Sequence, residues 1–328
     1  MTINRNKIYV GIDVGKLQLD VFVSSINQHS TFENNSRGHK KLLNWLSTFD
    51  SPIELICMEA TGGYEKRILN LFASSSWNVS RANAKWVRSF AKASGYLMKT
   101  DKIDARVIAN YAEKMNPPIY KKTHKHQEEL SLLCMRRLQL IKIRSAEKNR
   151  FEKCVENKSI KRSISRLMTQ LNKEIEKIDL QIDVLLDTHQ DIKKPLNKMM
   201  AIKGVGKKTA IVLLALLPEL GQLNREQIAA LAGVAPMNRD SGKHCGKRFT
   251  QGGRIQVRNA LYMATLVATR FNPKTREFYQ RLVTRGKPKK VAITACMRKL
   301  LIGINNLMKT HYNNLETNTF NMLVDSSK

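Results

Sequence analysis

Negative charge is what this chain most conspicuously lacks. Asp and Glu number 27 against 57 Lys and Arg in 328 residues, a formal net charge of +30. That balance is too positive for an ordinary soluble enzyme of neutral small molecules and points to a polyanionic partner, above all nucleic acid. Aromatic residues make up 6% of the chain, so base stacking cannot be the sole recognition device. The five cysteines, Cys57, Cys134, Cys154, Cys245 and Cys296, are scattered and form no CxxC pair. This argues against a disulfide framework and a structural zinc site, and suits a reducing cytoplasm. His124 and His126, near Cys134, read as parts of a solvated basic loop rather than as metal ligands. No run of 18 apolar residues occurs, and the N-terminus has neither a signal-peptide core nor a cleavage site. A cytoplasmic protein with no membrane span is therefore expected.

Apolar residues, at 42%, suffice for real cores, and the length favours about two domains. The charge is uneven. Residues 1–120 carry 16 basic and 10 acidic side chains, net +6; residues 121–200 carry 19 and 11, net +8; residues 201–328 carry 22 and 6, net +16. In the first region, β-branched and alternating stretches predict strands at 8–23 (two, with a turn near Gly15–Lys16), 30–34, 53–58 and 77–80. Helical spacing is expected at 38–49, 64–73 and 101–114, the last with Thr100 as N-cap. Strands alternating with helices imply a sheet with helices on its faces. Residues 120–127 read as a basic linker. From Leu130 to Leu186 the pattern is helical, and Ile160, Ile164, Leu167, Leu171, Ile175, Ile178, Ile182 and Leu185 form a near-heptad seam. That seam fits a helical hairpin or coiled coil, closed on its own chain or on a second subunit. Beyond it come a helix, a Gly-Val-Gly turn and further helices, then a polar, poorly ordered tail. The expected division is 1–120, 121–195, 196–312 and 313–328.

Four acids need explaining. Asp13 lies within an apolar strand, where an unpaired carboxylate is costly. Glu59 ends the strand at 53–58, and Asp101 and Asp104 share a face of a helix start, their Cβ atoms about 5–6 Å apart. Meeting, the four would repel one another unless cations occupied the cluster, and such oxygen ligands suit Mg²⁺ or Mn²⁺. Two such ions about 3.5–4 Å apart promote phosphodiester cleavage. The helix dipole alone also favours Asp101 and Asp104 where they stand, so spacing leaves both readings open.

Gly204-Val205-Gly206-Lys207-Lys208 is not a P-loop, since Ala201 and Lys208 stand where Gly and Ser or Thr are needed. It reads better as a helix-hairpin-helix whose backbone N–H groups face a phosphate. Between residues 235 and 300 there are 16 basic and two acidic residues. Arg239, Lys243, Lys247, Arg248, Arg254 and Arg258 in this stretch, with Gly204, Gly206, Lys207 and Lys208, are the expected nucleic-acid contacts. Ser241, flanked by Asp240 and Gly242, is open between a turn residue and a hydroxyl that attacks phosphorus.

These pieces, in this order, resemble one family. Tyr9-Val-Gly-Ile-Asp13-Val, Cys57-Met-Glu59-Ala-Thr-Gly62 and Lys99-Thr-Asp101-Lys-Ile-Asp104-Ala-Arg106 carry the N-terminal likeness. Ile202-Lys-Gly-Val-Gly206-Lys-Lys-Thr, Gly233-Val-Ala-Pro236, Asp240-Ser241-Gly242, Gly252-Gly253-Arg254 and Arg258-Asn-Ala-Leu-Tyr262-Met continue it. The chain is similar to the DEDD-type transposases of the insertion-sequence-110 family, which include Piv-like DNA invertases. The resemblance implies a RuvC-like (RNase H-type) α/β N-terminal domain, a central helical coiled-coil segment and a mostly α-helical C-terminal domain with a helix-hairpin-helix. It implies that Asp13, Glu59, Asp101 and Asp104 form a tetrad holding Mg²⁺ or Mn²⁺, and that Ser241 joins covalently to DNA. The implied partners are DNA at element ends and target, a structured guide RNA, and further copies of the chain as a dimer or tetramer. The competing expectations are a RuvC-like Holliday-junction-type nuclease acting by metal-dependent hydrolysis, and a non-catalytic packaging protein, which leaves the four acids unexplained.

Overall fold

The structure is a computed structural model that describes residues 7–96, 101–120, 122, 125–154, 157–237, 240–241, 244–246 and 248–325, with the backbone alone at 101–102, 240–241, 244–245 and 315–325. The chain divides into two compact units, Met1–Lys122 and Thr123–Lys328.

Unit 1 is a mixed α/β layer structure. Its elements are β1 (Ile8–Val14), β2 (Gln18–Val23), β3 (Gln28–Glu33), α1 (Ser36–Leu46), β4 (Ile53–Glu59), α2 (Lys66–Ala73), β5 (Val79–Ala82), α3 (Ala84–Ala93) and α4 (Asp101–Met115). The five strands lie in the order β3-β2-β1-β4-β5. β1, β2 and β3 are antiparallel neighbours, whereas β4 runs parallel to β1 and β5 parallel to β4. β1 is central and covered on both faces, which is why its sequence is a continuous apolar run rather than an alternation. Its residues Ile8, Val10, Ile12 and Val14 pack with Leu42 and Leu46 of α1 and with Ile68 and Phe72 of α2. Alternation turns Tyr9, Gly11 and Asp13 to the opposite face, where Tyr9 joins Leu55, Cys57 and Val107, Ile108 and Tyr111 of α4.

Gly11 sets the spacing on that second face. A Cβ placed there would lie 2.1 Å from the Ala105 carbonyl oxygen and 2.3 Å from the Ala109 nitrogen. Strand and helix backbones therefore touch directly, with Ala105 and Ala109 fully buried beside Phe22. α3 was not anticipated from the sequence. It starts behind the Asn83 cap, buries Val87 and packs Phe90 and Ala91 against the same core, an apolar stripe at helical spacing.

Unit 2 is mostly helical, with α5 (Lys125–Lys153), α6 (Lys158–Thr188), α7 (Gln190–Met200), α8 (Lys207–Leu216), α9 (Arg225–Leu231), α10 (Ile255–Phe271), α11 (Pro273–Thr284) and α12 (Lys289–Asp325). Four two-residue strands lie between α9 and α10: β6 (Pro236–Met237), β7 (Asp240–Ser241), β8 (His244–Cys245) and β9 (Phe249–Thr250). α5 and α6 form an antiparallel hairpin. Arg137 is paired with Asp179, and Arg144 Nη1 donates to Asn172 Oδ1 at 3.0 Å, so contacts advance along one helix as they retreat along the other. α5 begins at Lys125, inside the stretch expected to be linker. The apolar seam of α6 is only partly engaged. Leu171, Ile175, Ile178, Ile182 and Leu185 are buried, whereas Ile160 and Leu167 are 49% and 40% exposed.

The core of unit 2 joins Leu213 and Leu214 of α8, Ile228 of α9, Val257 and Leu261 of α10, and Met297, Leu301, Ile304 and Met308 of α12. α12 holds a segment, Lys289–Asn314, long and apolar enough by composition to cross a membrane, and half of its apolar window is buried within the protein. Buried Asn305 on that helix accepts from Gly221 N at 2.8 Å and donates to Leu223 O at 2.9 Å. α12 continues to Asp325. No Gly or Pro follows Gly303 to stop it.

Two predictions follow from this packing. Gly11→Ala forces backbone apart and is expected to cost unit 1 about 3 kcal/mol. Chemical denaturation checks it, and an unchanged midpoint would mean that strand and helix do not touch. Burial pushes the Cys57 thiol up to about 12, so native Cys57 should resist alkylation at neutral pH while half-buried Cys154 reacts well before it. Mass spectrometry after timed iodoacetamide quenching reads the order directly.

Candidate active site and nucleic-acid interface

Asp13 and Glu59 stand at the ends of two adjacent strands of the unit 1 sheet. Asp13 is the sixth residue of β1, and Glu59 is the last of β4. The parallel register pairs Gly11 with Cys57 and Ile12 with Met58, so Asp13 and Glu59 are the next step on adjacent strands. Parallel neighbours in register point the same way. Gly11 and Cys57 both face α4, and Asp13 and Glu59, each two residues further along, share that face. Glu59 is held by pairing with Ala82 of β5, and the ladder extends one step beyond it through Ala60 N to Ala82 O at 3.1 Å. α4 crosses β1 with Ala105 directly over Gly11, so its first turn, carrying Asp101 and Asp104, adjoins that crossing. Asp13, Glu59 and Asp104 are each half-buried, and each is engaged in an interaction. For Asp101 the backbone position alone is described, and the expected cap Thr100 lies outside the described residues. Carboxylates are the donor chemistry that Mg²⁺ or Mn²⁺ takes, so the residue types at these positions suit such an ion.

Sequence reasoning missed Glu65. It reads as an ordinary acid at a helix start, yet its side chain is fully buried beside Arg81, whose Nε lies 3.2 Å from Oε1. Its other oxygen accepts from Gly63 N at 2.8 Å, from Thr61 N at 3.3 Å and from Thr61 Oγ1 at 3.2 Å. Burial works against its ionisation. The backbone N–H groups of Glu65 and Gly63, the Arg81 charge and the Thr61 N–H together outweigh that effect and hold its pKa below the ordinary carboxylate value. The turn that brings these donors together has Gly62 at φ 76° and Gly63 at φ 123°, a backbone that side-chain-bearing residues rarely adopt.

Ser241 belongs to a β-ribbon in unit 2. β6 pairs with β9, and inside that pair β7 pairs with β8, placing Ser241 opposite His244. Arg239, Lys243 and Lys247 lie outside the described residues, and Arg248 is exposed. The base of the ribbon is fastened by backbone contact: a Cβ on Gly253 would fall 2.1 Å from Gly233 N. Arg258 Nη1 donates to Gly252 O at 2.7 Å and Gly233 O at 3.3 Å. Arg254 grips both Glu219 oxygens at 2.6 Å and also donates to Leu216 O. These two arginines, expected as nucleic-acid contacts, are thus engaged by the protein itself. In the Gly-Val-Gly turn, Gly204 packs on Ala268 of α10. Gly206 caps α8 without a side-chain hydrogen bond, Lys207 pairs with Asp183 at 2.7 Å, and Lys208 is exposed. Arg281, Arg285, Lys287, Lys289 and Lys290 form a further exposed basic run from α11 into α12, and no motif marks them.

Both units match known families. A family model described as "Transposase" matches residues 10–159, and one described as "Transposase IS116/IS110/IS902 family" matches residues 196–280. The pilin gene-inverting proteins of Moraxella lacunata and Moraxella bovis are each 31% identical over 311 residues, which covers 90% of this chain and 94% of theirs. The chain belongs to the IS110 family of transposases and recombinases. An uncharacterized 42 kDa protein of insertion element IS900 from Mycobacterium paratuberculosis is 35% identical over 88 residues, 26% of this IS110-family chain and 22% of the relative.

This IS110-family protein also gathers two histidines. Among the described residues, His126, His189 and Asp191 offer three candidate ligand atoms within 4.8 Å of one another. His126 is half-buried in the first turn of α5 rather than in a solvated loop, and His124 lies outside the described residues. Its Nδ1 is 3.2 Å from Asp191 Oδ2, and its ring stacks on His189 at 3.5 Å with 17° between planes. A metal binds imidazole in the ring plane, so rings this nearly parallel aim their lone pairs side by side, and one must turn before both can ligate.

The ribbon base yields a prediction. Arg258→Met removes two hydrogen bonds, worth about 1 kcal/mol each. It should speed amide exchange at Met237, Phe249 and Thr250 while leaving α10 protected. Unchanged exchange would assign the anchoring to the glycine contact alone.

Proposed function

We propose that this IS110-family transposase cuts and rejoins DNA with a carboxylate centre in unit 1 and a serine in unit 2. What supports the reading is that Asp13 and Glu59 follow the register partners Ile12 and Met58 on two adjacent parallel strands, on the face that α4 covers. The strand order β3-β2-β1-β4-β5, three antiparallel strands followed by two parallel ones, supports assigning unit 1 to the RuvC-like (RNase H-type) fold. Asp13, Glu59, Asp101 and Asp104 would hold Mg²⁺ or Mn²⁺. When bound, that ion supplies Lewis-acid stabilisation of charge on the phosphate.

The remaining chemistry falls to the chain. Ser241 Oγ attacks phosphorus and loses its proton as the new P–O bond forms. The scissile P–O bond breaks, and the departing DNA oxygen takes up a proton to leave as a hydroxyl. The phosphoserine diester keeps the energy of the broken bond, so rejoining needs no ATP. The helix-hairpin-helix reading of α7, the glycine turn and α8 assigns Gly206 and Lys208 to phosphate contacts, with Lys207 joining them on release from Asp183, and the α8 N-terminus, which no side chain caps, supports it. Arg248 and the exposed run Arg281–Lys290 extend that basic surface toward DNA at element ends and target, and toward a structured guide RNA. The exposed Ile160 and Leu167 on α6 support assembly with further copies.

Purified protein mixed with guide RNA, donor and target DNA tests the proposal. Asp13→Asn and Glu59→Gln should lower strand cleavage at least about a hundredfold with nucleic-acid binding retained, and a chelator should do the same. Ser241→Ala should abolish a denaturation-resistant protein–DNA adduct. Unlinked nicks from the Ser241 variant would instead favour the hydrolytic nuclease, and full activity in both acid variants would remove the metal centre.

A further inference from the structure

Glu65 is a charged group that the chemistry above leaves unused. Its carboxylate is 0% exposed and engages three donors of the Thr61–Gly63 turn and the Arg81 guanidinium. Stability alone does not call for this arrangement, because buried ion pairs are often replaced by apolar groups without loss. What the carboxylate does is gather N–H groups that would otherwise diverge. Those groups belong to the segment that leaves β4 immediately after Glu59. Arg81 sits on the sheet face opposite Glu59, since Val79, two residues before it, packs with α1 and α2 while Ala82 packs with α4. Glu65 therefore grips the turn from behind the candidate metal centre.

A second tie reaches the same turn from Asp13's strand. Asn34 Nδ2 donates to Gly15 O at 2.8 Å and to Tyr64 O at 3.4 Å, and its Oδ1 lies 2.8 Å from His39 Nε2. The segments that follow Asp13 and Glu59 are thus linked to each other as well as to the sheet.

We propose that Glu65, braced by Arg81, is a positioning residue that fixes the Thr61–Gly63 turn so that the Glu59 carboxylate stands beside Asp13 ready for a divalent cation. The inference rests on the reading of Asp13 and Glu59 as metal ligands, and the test separates the two.

Mn²⁺ is titrated into the full-length protein, with free Mn²⁺ followed by its electron paramagnetic resonance signal. Amide exchange at residues 60–64 is measured in metal-free protein. Asp13→Asn and Glu59→Gln should lose the site. Glu65→Gln, checked for folding by circular dichroism, should weaken Mn²⁺ binding about tenfold, as removal of outer-shell support does, and should speed exchange at Thr61 and Gly63. Glu65→Asp should recover part of the affinity. A merely structural role would lower the melting temperature and leave Mn²⁺ affinity alone, so a folded Glu65→Gln protein with wild-type Mn²⁺ binding overturns the proposal. If Asp13→Asn and Glu59→Gln also bind Mn²⁺ normally, the ligand reading itself fails and takes the proposal with it. Should Glu65→Gln not fold, Arg81→Gln decides, because that side chain is 43% exposed. Weakened Mn²⁺ binding in the folded variant supports the positioning role, and unchanged binding overturns it.

Discussion

Where β1 meets α4, two backbones are in contact with no side chain between them. Gly11 presents only hydrogen to the Ala105 carbonyl and the Ala109 nitrogen, and both alanines are the smallest residues a helix can offer without glycine's entropy cost. This contact fixes how far the first turn of α4 stands from the end of β1, and so where Asp104 lies relative to Asp13. The neighbouring pair, Asp13 and Glu59, is fixed differently, by the parallel ladder between β1 and β4. One distance is thus set by steric contact and the other by hydrogen-bond register, and neither depends on the flexible parts of the acidic side chains.

The two units divide the charge along the same lines. Unit 1 keeps acids among its bases, and Glu65 is one that is buried to hold a turn. Unit 2 carries most of the surplus, yet part of it is already committed. Arg254 and Arg258 hold the ribbon, Arg137 joins α5 to α6, and Lys207 answers Asp183. Cations left facing solvent include Lys208, Arg248 and the run Arg281, Arg285, Lys287, Lys289 and Lys290. Net charge therefore overstates how many basic groups remain for a polyanion, and the distribution of exposed ones is the better guide.

Much of unit 1 was legible because its signals are local. The β-branched run of β1, the short apolar run of β4 and the helical spacing of α1 each specify their element within a few residues, and Asp13 drew notice because a carboxylate in such a run needs a reason. Glu65 was not legible, since its burial depends on Arg81, sixteen residues away, and on a turn whose form comes from two glycines. α3 was missed although Val87, Phe90 and Ala91 mark an apolar stripe, and the ribbon because strands of two residues carry no periodicity. Arg254 and Arg258 were read as free cations because their partners, Glu219 and the carbonyls of Gly233 and Gly252, are distant in sequence or carry no side-chain signal. The α6 seam was read whole, although only its second half finds a covering neighbour within the chain.

The fastening of the β-ribbon has a consequence for how such a protein diversifies. Among the described residues, the root of the ribbon is held by Gly233, Gly252, Gly253 and Arg258, and β6 is exposed. Drift in the segment around Ser241 is thereby insulated from the helical core. Lineages are free to vary its length and charge, and with them the strands they engage, without re-evolving the fold that carries it.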